Sequence, residues 1–267
     1  MPFSFNCVSA LVLRYLYLYT RHPVRLVELV FWPLVDLLVW GFLTTYLQQH
    51  GAGGFPAAIS FLIGGMILWD VLFRSQQGVA ISFLEDVWTR NLLNVFVAPV
   101  RTTEYVAATC VVGVLRVGVT LMILTVVAAF AYQFHLSALG FGLVPFLGNL
   151  ILFGWFLGMI STALIMRFGQ AAESLAWAIP FFIQPLAAVF YPVSVLPAWL
   201  QPVAMALPCT PIFEGMRAVL SGNPIPWGSV QYAFCLNLVW GSLAALFFAA
   251  NLRYVRKKGL LVKVATQ

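Results

Sequence analysis

Six stretches of about twenty apolar residues, bounded by charge, proline or glycine clusters, dominate the chain at 24–47, 57–79, 105–132, 143–166, 171–191 and 230–252. Each is long enough for an α-helix to cross the ~30 Å hydrocarbon core of a bilayer, where a spanning segment must satisfy its own backbone groups. A soluble fold fails on charge. Only 8% of the 267 residues are charged against 62% hydrophobic, whereas a water-soluble domain carries about 25% charged residues. Disorder is opposed by 23 Phe, 9 Trp and 9 Tyr, and a disulfide framework by only four scattered cysteines. The expected fold is all-α and integral to the membrane, with six transmembrane helices in a single domain over 1–267.

Cations decide which way such a bundle faces, because Lys and Arg are retained near the cytoplasmic ends of spans. Arg14, Arg21 and Arg25 precede the first run; Arg74, Arg90 and Arg101 surround the link between the second and third; Arg167 follows the fourth; Arg253, Arg256, Lys257, Lys258 and Lys263 follow the sixth. Twelve of the fourteen cations thus share one side, leaving Arg116 inside the third run and Arg217 on the opposite face. Both termini, including a basic tail over 253–267, are expected in the cytoplasm. The net charge of +6 is then a matter of sidedness and does not point to nucleic acid. The opposite links, a 48–54 turn and the 133–142 stretch, contain no Lys or Arg. No signal peptide is expected at the start. Residues 1–23 instead place Phe5, Val8, Val12, Tyr15, Leu16 and Tyr19 on one helical stripe with Arg14 and Arg21 opposite. That pattern suits a helix lying in the membrane interface before Pro23 turns the chain, either as a plain anchor or as a mechanical part.

Two connections are more than reversals. The link at 82–101 is long and mixed in sign, and its middle reads as a short amphipathic helix. Val87, Leu92, Leu93 and Phe96 are available for burial, Glu85, Asp86 and Arg90 are expected to be exposed, and the helix should stop before Pro99. It is either a handle for a partner or an interfacial helix that only turns the chain. After the fifth run, seven of the fifteen prolines crowd 192–226, a spacing that continuous helix does not survive. Apolar pieces at 198–207 and 212–220, with Glu214 and Arg217 at i,i+3 spacing, predict two short helices dipping into the outer leaflet within an external re-entrant region at 192–229. Irregular backbone at that depth needs protein or a wet cavity around it, so this region is an expected lid over an exit path.

Charges inside the apolar runs are costly, about 2.5 kcal/mol or more each, and call for a partner or a wet surface. Asp36 lies roughly 16 Å beyond Arg25 along a helix and Arg116 about 18 Å beyond Glu104, so the two are expected near the same depth as an intramembrane pair. Arg25 with Glu28 and Asp70 with Arg74 have the spacing of local helical pairs. Glu173, at the start of the fifth run, suits the positive end of a helix. Within that run Pro180 and Pro185 break the hydrogen-bond ladder, leaving carbonyls for Gln184 or water, and Trp177, Phe181, Phe182, Phe190 and Tyr191 suit a cavity wall for an amphiphile. Asp36, Asp70, Arg116, Trp177, Phe181, Gln184, Phe190 and Tyr191 are therefore the candidate translocation-path residues.

The segments 90–100, 190–200 and 208–217, together with Arg167-Phe168-Gly169-Gln170-Ala171-Ala172-Glu173, resemble the type-2 ATP-binding cassette exporter permeases, in particular the branch of nodulation-factor, drug and polysaccharide exporters. The order of spans agrees over nearly the whole chain. The family's cytoplasmic segment often carries acids where this chain has Leu93 and Asn94. The resemblance implies a coupling helix at 82–101, with Glu85, Asp86, Arg90, Asn91, Leu92, Leu93, Phe96 and Pro99 as ATPase-coupling residues. It implies a bacterial inner-membrane exporter of an amphipathic substrate (lipid, glycolipid, polysaccharide or drug), working as a homodimer in membrane lipid with two cytoplasmic ATPase subunits that hold ATP and Mg²⁺.

The residues agree with that division of labour, because a phosphate-binding loop needs Gly-Lys-Ser/Thr and the three lysines all stand in the tail, none before Ser or Thr. The chain is not expected to be an enzyme or to bind a cofactor itself. The histidines, His22, His50 and His135, are isolated, so no metal site is expected, and there is no Gly-x-Ser-x-Gly hydrolase elbow. Cys209 and Cys235 could share the external face, although free apolar cysteines fit better. Two other classes stay open: an ion-coupled secondary transporter using Asp36 or Asp70 to carry a proton, and a membrane scaffold with no path at all.

Overall fold

The computed structural model of the chain describes residues 3–21, 23–50 and 56–259. His22, most of the 48–54 turn and the end of the basic tail with Lys263 lie outside the described residues. Among the described residues there is no strand, and ten α-helices follow in order: α1 (Phe5–Arg21), α2 (Pro23–His50), α3 (Pro56–Trp88), α4 (Leu92–Val97), α5 (Thr102–Tyr132), α6 (Leu143–Phe168), α7 (Glu173–Leu186), α8 (Gln201–Met205), α9 (Thr210–Leu220) and α10 (Trp227–Lys257).

Among the described residues, four segments are long and apolar enough to cross a membrane: Val24–Leu47 of α2, Thr102–Tyr132 of α5, Leu136–Phe168 ending in α6, and Trp227–Lys257 of α10. The other two expected spans differ in opposite ways. α3 is 33 residues long, roughly 50 Å, because no proline or cap interrupts it after residue 79. The acidic pair Glu85-Asp86 therefore belongs to its last turns and not to a separate amphipathic helix. α7 has only 14 residues, about 21 Å, well short of the expected 171–191. Residues 171–172 form a 3₁₀ turn before it. Pro180 and Pro185 weaken its ladder, and the chain reverses at Ala188, whose φ of 52° is unfavourable for a residue with a Cβ.

α3 is the axis on which the other helices pack. Where it crosses α5, Gly78 and Gly113 lie so close that a Cβ on Gly78 would stand 2.2 Å from the Gly113 Cα. On its other side, Gly154 and Gly158 of α6 form a small-xxx-small step, and Cβ atoms there would lie 2.6 and 2.7 Å from the carbonyls of Leu72 and Gln76. Close backbone approach of this kind drives helix association where lipid removes the hydrophobic advantage. Buried polar links add specificity. Gln76 Nε2 donates to Ser161 Oγ at 3.1 Å and to the Ala176 carbonyl at 3.0 Å, tying α3 to α6 and α7, and Asn237 of α10 donates to Asn149 of α6 at 3.0 Å.

The proline-rich region forms a 3₁₀ turn at Val193–Val195 and the two short helices α8 and α9; α8 is shorter at both ends than the expected 198–207 piece, whereas α9 begins two residues before the expected 212–220 piece and ends with it. α9 is a core element: Ile212, Phe213 and Met216 are fully buried in the cluster shared by α3 and α6. The expected Glu214–Arg217 pair forms at 3.0 Å. Glu214 also accepts the Val193 N–H at 2.7 Å, and Arg217 Nη1 donates to the carbonyls of Ala188 and Val189 at 2.9 and 3.2 Å. One arginine thereby satisfies two carbonyls of the turn that follows α7.

Candidate functional site

At the end of the bundle that carries α1 and α4, acidic side chains of α3 meet cations and phenols from three other helices. Asp86, 2% exposed, accepts Arg14 Nη2 of α1 on one oxygen, and on the other Tyr15 of α1 at 2.7 Å and Tyr105 of α5 at 2.8 Å. Glu85, 3% exposed, faces Arg25 of α2 at 3.3 Å and Arg116 of α5 at 3.4 Å, and accepts the Tyr19 hydroxyl at 3.1 Å. Both acids lie beyond the apolar run 57–79. Burial pushes the Glu85 carboxyl up to about 7, Arg25 pulling against it and Asp86 adding to the rise. Burial and the Asp86 charge push the Tyr15 phenol well above its ordinary range, so it stays a donor.

This arrangement corrects several expectations. Glu85 and Asp86 are buried, and of the three charges expected at the surface only Arg90 is exposed, at a turn residue with φ of 54°. Arg14 does not project away from the α1 stripe but follows Tyr15 onto Asp86. Arg25 pairs with Glu85 in place of Glu28, which is exposed. Arg116 does not pair with Asp36: helical side chains lean toward their own N-terminus, and from α5 that direction leads to Glu85. Asp36 makes no ion pair among the described residues. The Asp70–Arg74 pair forms as expected, at 3.1 Å with both side chains buried. Glu173 does sit in the first turn of α7, and it also accepts Trp88 Nε1 at 3.2 Å, linking the end of α3 to the start of α7.

Above the network opens a cavity of about 970 Å³. α2 lines it with Arg25, Glu28, Trp32 and Asp36, one helical stripe at spacings of three or four residues. From α3 come Phe73, Arg74, Gln77 and Glu85, and from α7 Trp177 and Phe181; Tyr19 and Arg116 complete the wall from α1 and α5. Of the expected path residues, Asp36, Arg116, Trp177 and Phe181 share this cavity. Asp70 stands behind it, holding Arg74. Gln184, Phe190 and Tyr191 do not line it. Phe190 stacks on Trp40 of α2 at a centroid distance of 3.9 Å, and the Tyr191 hydroxyl donates to the Pro185 carbonyl, so both close the end of α7. Of the expected coupling residues, Asn91 precedes α4 and Leu92 is fully buried. The side chains of Leu93 and Phe96 lie outside the described ones. Pro99 is exposed just after the helix ends at Val97, which is 86% exposed.

The sequence reading missed the cavity roles of Trp32, Phe73 and Gln77 and the clamp roles of Tyr15, Tyr19 and Tyr105. The signal for the first is the i, i+4, i+8 spacing of Glu28, Trp32 and Asp36; for the second it is the i,i+4 spacing of two tyrosines on α1. Contacts between helices were needed to tell either pattern from ordinary packing. All four cysteines are free, with Cys209 buried and Cys235 exposed.

Residues 6–221 match the family described as ABC-2 type transporter. The chain is also similar to the protein named inner membrane transport permease YadH of Escherichia coli strain K12, 24% identical over 172 residues that cover 63% of this chain and 65% of that protein. The same figures hold for the YadH of Shigella flexneri, and the chain thus spans just under two thirds of the length of these relatives. An all-helical bundle with several membrane-length apolar helices agrees with the match, and the chain belongs to the ABC-2 type transporter family.

Proposed function

We propose that the chain is the membrane-spanning half of an ATP-driven exporter of amphipathic substrates, working as a homodimer with two separate ATPase subunits. ATP and Mg²⁺ belong to the partner, and the chain itself carries no hydrolytic chemistry. In this reading α2, α3, α5, α6, α7 with its return segment, and α10 make six crossings, both termini are cytoplasmic, and α4 is the coupling helix. The 970 Å³ cavity is the inner chamber, and the α8–α9 region lies over its exit.

One observation carries the reading. The α3 turns that hold Glu85 and Asp86 end directly in the turn to α4, and the same Glu85 belongs to the cavity wall. A push on α4 therefore reaches the chamber through one continuous helix and its salt-bridged neighbours, without crossing a loose loop. The exposed apolar faces of α2 and α7, with Phe31, Phe42 and Phe182 at 50%, 66% and 75% exposure, support a second copy or lipid against the open side.

Val97 tests the coupling surface better than Leu92, whose burial makes its loss a folding defect. Val97→Asp is expected to abolish co-purification of an ATPase and ATP-dependent transport while leaving the permease monodisperse. Unchanged ATPase capture and transport would remove α4 from the coupling role. The carboxylate of Asp36, which makes no ion pair among the described residues, keeps an ion-coupled carrier as a second reading, and it requires uptake or efflux in ATP-free vesicles under a proton gradient.

A further inference from the structure

We propose that the cavity selects a lipophilic cation, an organic amine, quaternary ammonium or phosphonium held between the Asp36 carboxylate and the aromatic side chains of α2, α3 and α7. This inference rests on the reading of the cavity as the transport chamber and adds the class of substrate.

The pairing of charges sets that polarity. Each guanidinium on the wall has a carboxylate partner, Arg74 in Asp70 at 3.1 Å, while Arg25 and Arg116 share Glu85 at 3.3 and 3.4 Å. Glu28 and Asp36 make no ion pair among the described residues. Both stand on α2, with Trp32 between them on the same stripe. Counted with Asp70, which holds Arg74 from behind the wall, the four carboxylates Glu28, Asp36, Asp70 and Glu85 outnumber the three guanidiniums Arg25, Arg74 and Arg116 by one. An uncompensated carboxylate at membrane depth is costly, and a cation arriving with the substrate offsets that cost.

The walls favour the same sign. Ring faces carry negative potential and attract an ammonium within about 6 Å of the centroid. Trp32, Trp177 and Phe181 line the cavity together with Phe73, whose ring already carries the Arg74 guanidinium at 5.6 Å and lies 5.7 Å from that of Phe181, tilted by 56°. An organic anion of equal size meets the opposite situation. Its potential partners are engaged with Glu85 and Asp70, and it would lie against Asp36 and the faces of the rings.

Tetraphenylphosphonium and tetraphenylborate are nearly identical in size and shape and opposite in charge, which makes them the probes. Their saturable binding is measured on the full chain in lipid nanodiscs, with any co-purifying subunit retained and empty nanodiscs subtracted. The phosphonium is expected to bind at least about tenfold more tightly than the borate. Asp36→Asn should remove that preference and Asp36→Glu should keep it. Should Asp36→Asn fail to fold, Glu28→Gln is expected to reduce the preference about threefold, and an unchanged preference there overturns the proposal. Equal binding of both ions, weakened by Phe181→Ala but not by Asp36→Asn, overturns the cation assignment and leaves the chamber in place. Absence of saturable binding by either ion overturns the assignment and the chamber together.

Discussion

Glu85 holds three helices at once: Arg25 of α2, Arg116 of α5 and Tyr19 of α1 all reach it, and its neighbour Asp86 adds Arg14, Tyr15 and Tyr105. Removing Glu85 would leave the buried Arg116 without its carboxylate partner, which is more destructive than losing the attraction itself, whereas removing Asp86 strands the partly exposed Arg14. Glu85 is also where pH enters. Its carboxyl rises from 4.5 when unfolded to about 7 in the fold, with burial as the main cause, so between those values the folded chain holds a proton that the unfolded chain releases. The stability contribution is complete below pH 4.5 and is lost as pH rises through about 7. Thermal unfolding in detergent should therefore show stability falling across this window, and Glu85→Gln should flatten that slope. An identical slope in the variant would show that Glu85 does not carry it. The two acids were visible in the sequence as an unusual pair after a long apolar run. Their burial was not, because the cations that neutralise them come from positions 14, 25 and 116.

α3 does for the helices what Glu85 does for the side chains. Its length was underestimated because apolar periodicity ends near residue 79, while the helix continues on polar residues that are buried by α1 and α5. α7 was overestimated for the opposite reason: composition stays apolar to Tyr191, but two prolines and the positive φ at Ala188 end the helix at Leu186. The packing of α3 on α6 depends on the absence of side chains. Gly154→Val would place methyl groups where a Cβ alone already stands 2.6 Å from the Leu72 carbonyl, and it is expected to cost about 1–3 kcal/mol as the helices are forced apart. The melting temperature in detergent should fall clearly, whereas Gly148→Val on the same helix, where a Cβ meets nothing within 4 Å, should be nearly neutral. Equal effects at the two positions would refute the close-packing role of the α3–α6 crossing.

For the whole molecule, the distribution of cations is the determinant of sidedness. With the native cysteines replaced, Asn223→Cys, exposed just past α9, is expected to react with a membrane-impermeant maleimide on intact cells. Arg90→Cys, exposed beside α4, should react only after permeabilisation, and the reverse pattern would invert the orientation and remove α4 from contact with a cytoplasmic motor. The sequence by itself determined the solvent, the helical class, the family resemblance and the local pairs Asp70–Arg74 and Glu214–Arg217, since all of these depend on composition or on neighbours within one helical turn. Tertiary structure decided which carboxylate each distant arginine meets, that Asp36 finds no ion pair among the described residues, and that α2, α3 and α7 enclose a cavity. Those outcomes depend on how helices far apart in the chain cross, and α-helical periodicity records only which face of each helix is apolar.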